Sequence, residues 1–110
     1  MSITHIVLLQ FKQNVPPDAV QNACKKMLGL REQCLHPSTT KPYILSVSGG
    51  KDNSPEGKQG GITHAFIMKF KSAADREYYL TSDPIHQEFA ESLIRLVEKA
   101  QVVDFTPGIF

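Results

Sequence analysis

Tryptophan is absent from this 110-residue chain, and cysteine occurs only twice, as Cys24 and Cys34. Two cysteines make no disulfide framework. Both fall in one predicted helix, and ten positions at helical rise set their Cα atoms about 15 Å apart, beyond disulfide reach. They are expected to be reduced packing thiols of an intracellular protein. No apolar run approaches the roughly 20 residues that a membrane-crossing helix needs. The opening MSITHIVLLQFK lacks both the positive start and the small-residue cleavage site of a secretory signal. A net charge of +1, with both signs interspersed, provides no basic footprint for nucleic acid and no polybasic membrane patch. The expectation is a cytoplasmic protein with neither a nucleic-acid nor a membrane partner.

Hydrophobic residues make up 41% of the chain and charged residues 21%, ordinary values for a globular protein, and the length suits one domain over residues 1–110 with a modest core. Ile3 to Phe11 alternates, yet is apolar on both faces: Ile3, His5, Val7, Leu9 and Phe11 on one, Ile6 and Leu8 on the other. A strand buried on both sides has this pattern. Prolines 16 and 17 then open a helix predicted from about Asp18 to Leu35, with its apolar stripe through Val20, Ala23, Met27 and Leu28. His36 falls in the proline-bounded loop that follows and is expected in solvent. Tyr43 to Ser48 is a second strand. Residues 51–61, rich in Gly, Lys, Asn and Ser, are expected to be a long mobile loop of the kind that serves as a lid or binding loop.

Ile62 to Lys71 is the third strand, with Ile62, His64, Phe66, Met68 and Phe70 sharing a face. Ser72 caps a short helix carrying Tyr78 and Tyr79. Asp83-Pro84 starts another, carrying His86, with Phe89, Leu93, Leu96 and Val97 at helical steps behind it. Lys99 to Thr106 holds the last strand. This βαββαβ order predicts an α+β, ferredoxin-like, four-stranded antiparallel sheet with helices on one face. The other face, through Ile6, Leu8, Ala65, Ile67 and Val103, would still be apolar, so a second copy is expected to cover it and make a homodimer.

His5 and His64 lie on strands that the topology makes neighbours, and their side chains share the helix-covered face. A buried strand histidine is often no more than a structural group satisfied by a partner. Two on adjacent strands can instead line one cavity between sheet and helices. His86, in the first turn of its helix, is disfavoured as imidazolium by the helix dipole and can serve as a base. Tyr79 can donate a hydrogen bond to a developing oxyanion, or can simply be a half-buried core residue. Val7, Leu9, Phe66, Met68, Phe89 and Leu93 are expected to wall a substrate pocket beside these groups. No HxH, HxxxH or CxxC spacing occurs, so no metal site is expected, and no cofactor.

The segments THIVLLQFK, GGITHAFIMKFKS, YLTSDPIHQEF and VVDFTPG resemble the stress-responsive A/B barrel (Dabb) family, whose members are dimeric α+β barrels. The resemblance runs over nearly the whole chain and is densest from Gly61 to Gly108. Within that family the chain is similar to the plant polyketide cyclase that makes olivetolic acid. That resemblance implies a catalytic His86 in DPIH, a catalytic Tyr79 in YYLT, and His5 and His64 orienting the substrate. His86 would then abstract an acidic C–H proton from a poly-β-ketone while Tyr79 holds the enolate. The chain departs from the cyclase by one extra residue between Tyr79 and Pro84.

Two function classes follow. One is cofactor-free acid–base catalysis on a small apolar carbonyl compound, such as an aldol-type cyclisation. The other is a non-catalytic stress-response protein or a binder of small hydrophobic molecules. A haem-degrading or quinol-oxidising monooxygenase of the same fold is disfavoured by the missing tryptophan.

Overall fold

The computed structural model describes all residues, Met1 to Phe110, as seven elements. These are β1 (Ile3–Phe11), α1 (Pro17–Gln33), β2 (Ile44–Lys51), β3 (His64–Phe70), α2 (Ala73–Thr81), α3 (Pro84–Ile94) and β4 (Val97–Phe105). The strands form one antiparallel sheet in the order β2-β3-β1-β4, the ferredoxin-like arrangement. β1 lies between β3 and β4; its inner face packs into the core, and its outer face, with Ile6 and Leu8, belongs to the apolar side that no helix covers.

Helix boundaries follow local chemistry. Pro17 stands in the first turn of α1, where its missing N–H costs nothing, and the helix buries Ala23, Met27 and Leu30. Ser72 caps α2 by accepting from the Asp75 N–H at 3.2 Å. Asp83 caps α3 by accepting from the Ile85 and His86 N–H groups at 2.9 and 3.4 Å. Cys34 follows α1 as its C-cap and is fully buried; both thiols are free.

The helices do not cover the sheet evenly. α1 packs on β2 and α2 on β3, whereas α3 packs on α1 and α2 and stands off the strands. The inner face of β4 is left open, so Val102, opposite Val7, is 57% exposed. On the outer face Ile67, Val103 and Phe105 are exposed, and Ile6 and Leu8 are half-buried between them.

Three expectations need correction. α3 ends at Ile94, and Val97 is not on a helix but opens β4 opposite Phe11. His36 is only partly in solvent: a third of its side chain is exposed, and its ring packs edge-on against Tyr43, at 6.1 Å between centroids. The 52–61 loop is tied down rather than free. Gln59 donates to the Asp52 carboxylate, Lys99 Nζ donates to the Gly60 carbonyl at 2.8 Å, and glycines 57, 60 and 61 take the left-handed conformations that the turns require.

Candidate functional site

Because α3 stands off β1 and β4, a cavity of about 250 Å³ opens between them. Its sheet wall is His5, Val7, Leu9, Ala100 and Val102; its helix wall is Met27, Tyr79, His86, Phe89 and Leu93, with Leu80 and Ile94 also lining it. None of residues 52–61 lines this cavity, so that loop is no lid over it.

Tyr79 and His86 stack face to face across the α2–α3 turn, with ring centroids 3.8 Å apart and planes 25° from parallel. His86 Nδ1 lies 2.8 Å from the Tyr79 carbonyl oxygen. A carbonyl only accepts, so Nδ1 carries the proton and Nε2 keeps its lone pair. Burial lowers the His86 pKa, and nearby His5 adds to the effect. The Tyr79 hydrogen bond and the Asp83 carboxylate pull the other way, and burial wins. The imidazole is therefore neutral at neutral pH. The Tyr79 phenol is pushed up, first by burial and then by Cys34 and Asp83, so it remains a protonated donor.

His5 approaches Tyr79 edge-on at 5.9 Å between centroids. Its Nδ1 donates to Asp104 Oδ1 at 2.7 Å, and the other oxygen of that carboxylate accepts from Arg76 Nη1 at 3.0 Å. Asp104 was not among the residues the sequence pointed to. The signal for it is slight: a carboxylate alternating with Val102 on the inner face of β4, where it pairs with His5. Asp83 was named only as a helix start. Its carboxylate is 1% exposed and also accepts from the Tyr43 hydroxyl at 2.5 Å, which fixes the turn that presents His86.

The structure does not bring every candidate to this cavity. His64 shares the inner face with His5, but it pairs with Leu9 whereas His5 pairs with Met68. Four residues of strand separate the two positions, about 13 Å. His64 instead packs edge-on against Phe11, at 5.0 Å between centroids, with Nδ1 2.9 Å from Thr63 Oγ1. Burial lowers its pKa, and Lys51 lowers it further. Phe66 and Met68, at 1% and 0% exposure, belong to the solid core under the helices and not to the cavity wall. No three His, Cys, Asp or Glu side chains converge into a metal-ligand set.

Residues 3–107 match the family described as Stress responsive A/B Barrel Domain. The Arabidopsis thaliana stress-response A/B barrel domain-containing protein HS1 is 29% identical over 96% of this chain and 89% of its own length. A solved Arabidopsis thaliana protein superposes with a TM-score of 0.84 at 28% identity, covering 98% of this chain and 97% of that one. A hydroxynitrile lyase from Passiflora edulis superposes with a TM-score of 0.82 at 24% identity, covering 99% and 96%. A Jannaschia protein described as a dimeric ferredoxin-like protein of unknown function shares the fold at 21% identity, with a TM-score of 0.76 and coverage of 96% and 99%.

Proposed function

The chain belongs to the stress-responsive A/B barrel (Dabb) family, and on that premise we propose that its inner cavity is the active site of a cofactor-independent acid–base enzyme. The substrate is a small, mostly apolar carbonyl compound. The observation that carries this reading is the His86 Nδ1 bond to the Tyr79 carbonyl, which leaves Nε2 as a neutral base on a cavity-lining ring stacked on a phenol donor.

Val7, Leu9, Phe89 and Leu93 offer no hydrogen bonds, so they select an apolar body, while His5, Tyr79 and His86 gather the polar groups at one end. A poly-β-ketone meets these demands, and it is the substrate class that the resemblance to a plant polyketide cyclase implies. His86 Nε2 takes the proton from a carbon between two carbonyls, and the Tyr79 hydroxyl donates to the developing enolate oxygen. The carbanion carbon bonds to a second carbonyl carbon of the same molecule, whose π pair moves to its oxygen. The imidazolium returns its proton to that alkoxide. His5, held by Asp104, orients the substrate; His64 is no part of this machinery.

The apolar outer face, with Ile67, Val103 and Phe105 exposed, supports a homodimer in which a second copy covers it, as the description of the Jannaschia protein suggests. A second reading, a non-catalytic binder of small hydrophobic molecules, is favoured by the apolar character of most of the cavity wall.

Deuterium exchange at the central methylene of 2,4-nonanedione, followed by NMR, separates the two readings. The wild-type protein should accelerate exchange over buffer. His86→Ala should return it to background, Tyr79→Phe should slow it about 100-fold, and Asp104→Asn should weaken it less, with urea stability retained in each. Ligand binding with no exchange above buffer in the wild type would leave only the binder.

A further inference from the structure

A second concave surface lies at the β2 edge of the sheet, away from β4. This cleft, of about 520 Å³, is bounded by Arg31 in the last turn of α1, by His36, Thr39 and Tyr43 of the connection into β2, and by Lys71 and Asp75 at the start of α2. The connection is a knot of short bonds. The His36 N–H donates to the Lys41 carbonyl at 2.8 Å, Thr40 N–H to the His36 carbonyl at 2.9 Å, and Ser38 N–H to His36 Nδ1 at 3.1 Å. These bonds hold Thr40 at φ 56°, a left-handed conformation that a β-branched residue rarely adopts.

The charges around the cleft do not satisfy one another. The Asp75 side chain is 14% exposed and its carboxylate accepts no hydrogen bond within the protein; the nearest ring nitrogen, His36 Nε2, stands off at 3.8 Å. Arg31 donates from Nε to the Leu45 carbonyl at 3.1 Å, which leaves the terminal nitrogens of its fork available. Lys71, also on the cleft, makes no ion pair. Neither the Asp75 carboxylate oxygens nor the terminal nitrogens of Arg31 and Lys71 are sealed from solvent, so each is partnered by water alone. A ligand carrying both signs would replace that water at both ends with charge-assisted hydrogen bonds.

We infer that this cleft binds a small zwitterion, with its ammonium group toward Asp75 and its carboxylate toward Arg31 and Lys71. The Arg31 fork suits a planar carboxylate, and Pro42 and Tyr43 provide an apolar surface for the spacer between the charges. The site is separate from the His86 cavity and shares no lining residue with it.

The full chain, labelled with ¹⁵N, is titrated with glycine, β-alanine and γ-aminobutyrate, which set the two charges at increasing separation, and with butyrate and n-butylammonium as single-charge controls. At least one zwitterion should shift the Thr39, Tyr43 and Asp75 amides with a Kd about tenfold below either control. Asp75→Asn should reduce that zwitterion to the affinity of butyrate, and Arg31→Gln to that of butylammonium. Lys71→Met, an exposed change that cannot unfold the chain, should weaken the zwitterion and butyrate alike. Equal affinities for all five probes, no shift at about 50 mM, or a zwitterion preference that survives Asp75→Asn would each overturn the inference.

Discussion

Asp83 holds the turn on which the proposed chemistry depends, and its removal tests how that turn is built. The carboxylate is 1% exposed, caps α3 through the Ile85 and His86 N–H groups, and accepts from the Tyr43 hydroxyl at 2.5 Å. The lost cap is worth about 1 kcal/mol. A buried hydrogen bond to a charged acceptor is worth about 1.5–3 kcal/mol. Asp83→Ala should therefore cost about 2.5–4 kcal/mol. Tyr43→Phe removes only the hydroxyl and should cost about 1.5–3 kcal/mol. The double variant should fall short of the sum by about 1.5–3 kcal/mol, because the shared bond can be lost only once.

The assay is urea denaturation of all four proteins at one fixed protein concentration, since assembly would add to apparent stability. Diketone exchange gives an independent readout. Asp83→Ala frees the first turn of α3 and should slow exchange, although Asp83 is not among the residues lining the cavity. Tyr43→Phe keeps the cap and should leave the rate near wild type. A coupling below about 0.5 kcal/mol, or an Asp83→Ala variant that exchanges at the wild-type rate, would refute the claim that this carboxylate positions His86.

Two further outcomes follow from the same geometry. Burial lowers the His86 pKa below the 6.5 of a free imidazole, and His64 is lowered too, so the unfolded chain binds more protons than the folded one as pH falls through 6.5. Stability and exchange should thus be level at neutral pH and decline only on the acid side of 6.5; a His86 NMR titration midpoint above 6.5 would contradict this. Gly49→Ala would place a Cβ 2.2 Å from Phe66 Cδ1 and 2.6 Å from the Ala65 carbonyl oxygen. Phe66 is 1% exposed and cannot yield, so denaturation should show a loss of about 1–3 kcal/mol, and a loss under 0.5 kcal/mol would mean that the strand shifts instead.

The fold was largely legible because its signals are local or periodic. The two-faced apolar pattern of Ile3–Phe11 marks the central strand, Pro16-Pro17 and Asp83-Pro84 mark helix starts, and alternation in β3 sorts Phe66 and Met68 from Ile67 and Lys69. The cavity was only half legible. Alternation tells which face a side chain takes but not where along the strand it meets a helix. His5 and His64 therefore share a face without sharing a site, and Phe66 and Met68 fill the part of that face under α1 and α2. The pairing of Asp104 with His5 spans 99 positions, and it depends on the β1/β4 register, which no local pattern carries.

The Tyr79–His86 pair is held by the way the turn between α2 and α3 is closed. The Ser82 and Asp83 N–H groups both donate to the Tyr78 carbonyl at 2.9 Å, which closes the turn at the end of α2. The Asp83 side chain then starts α3 at once, and His86 Nδ1 reaches back seven residues to the Tyr79 carbonyl. The stack is thus fixed by three hydrogen bonds to backbone carbonyls and one buried carboxylate, not by the spacing of the two rings. It follows that lengthening this turn by one glycine while keeping Asp83-Pro84 should perturb the Tyr79–His86 pair less than removing the Asp83 carboxylate does.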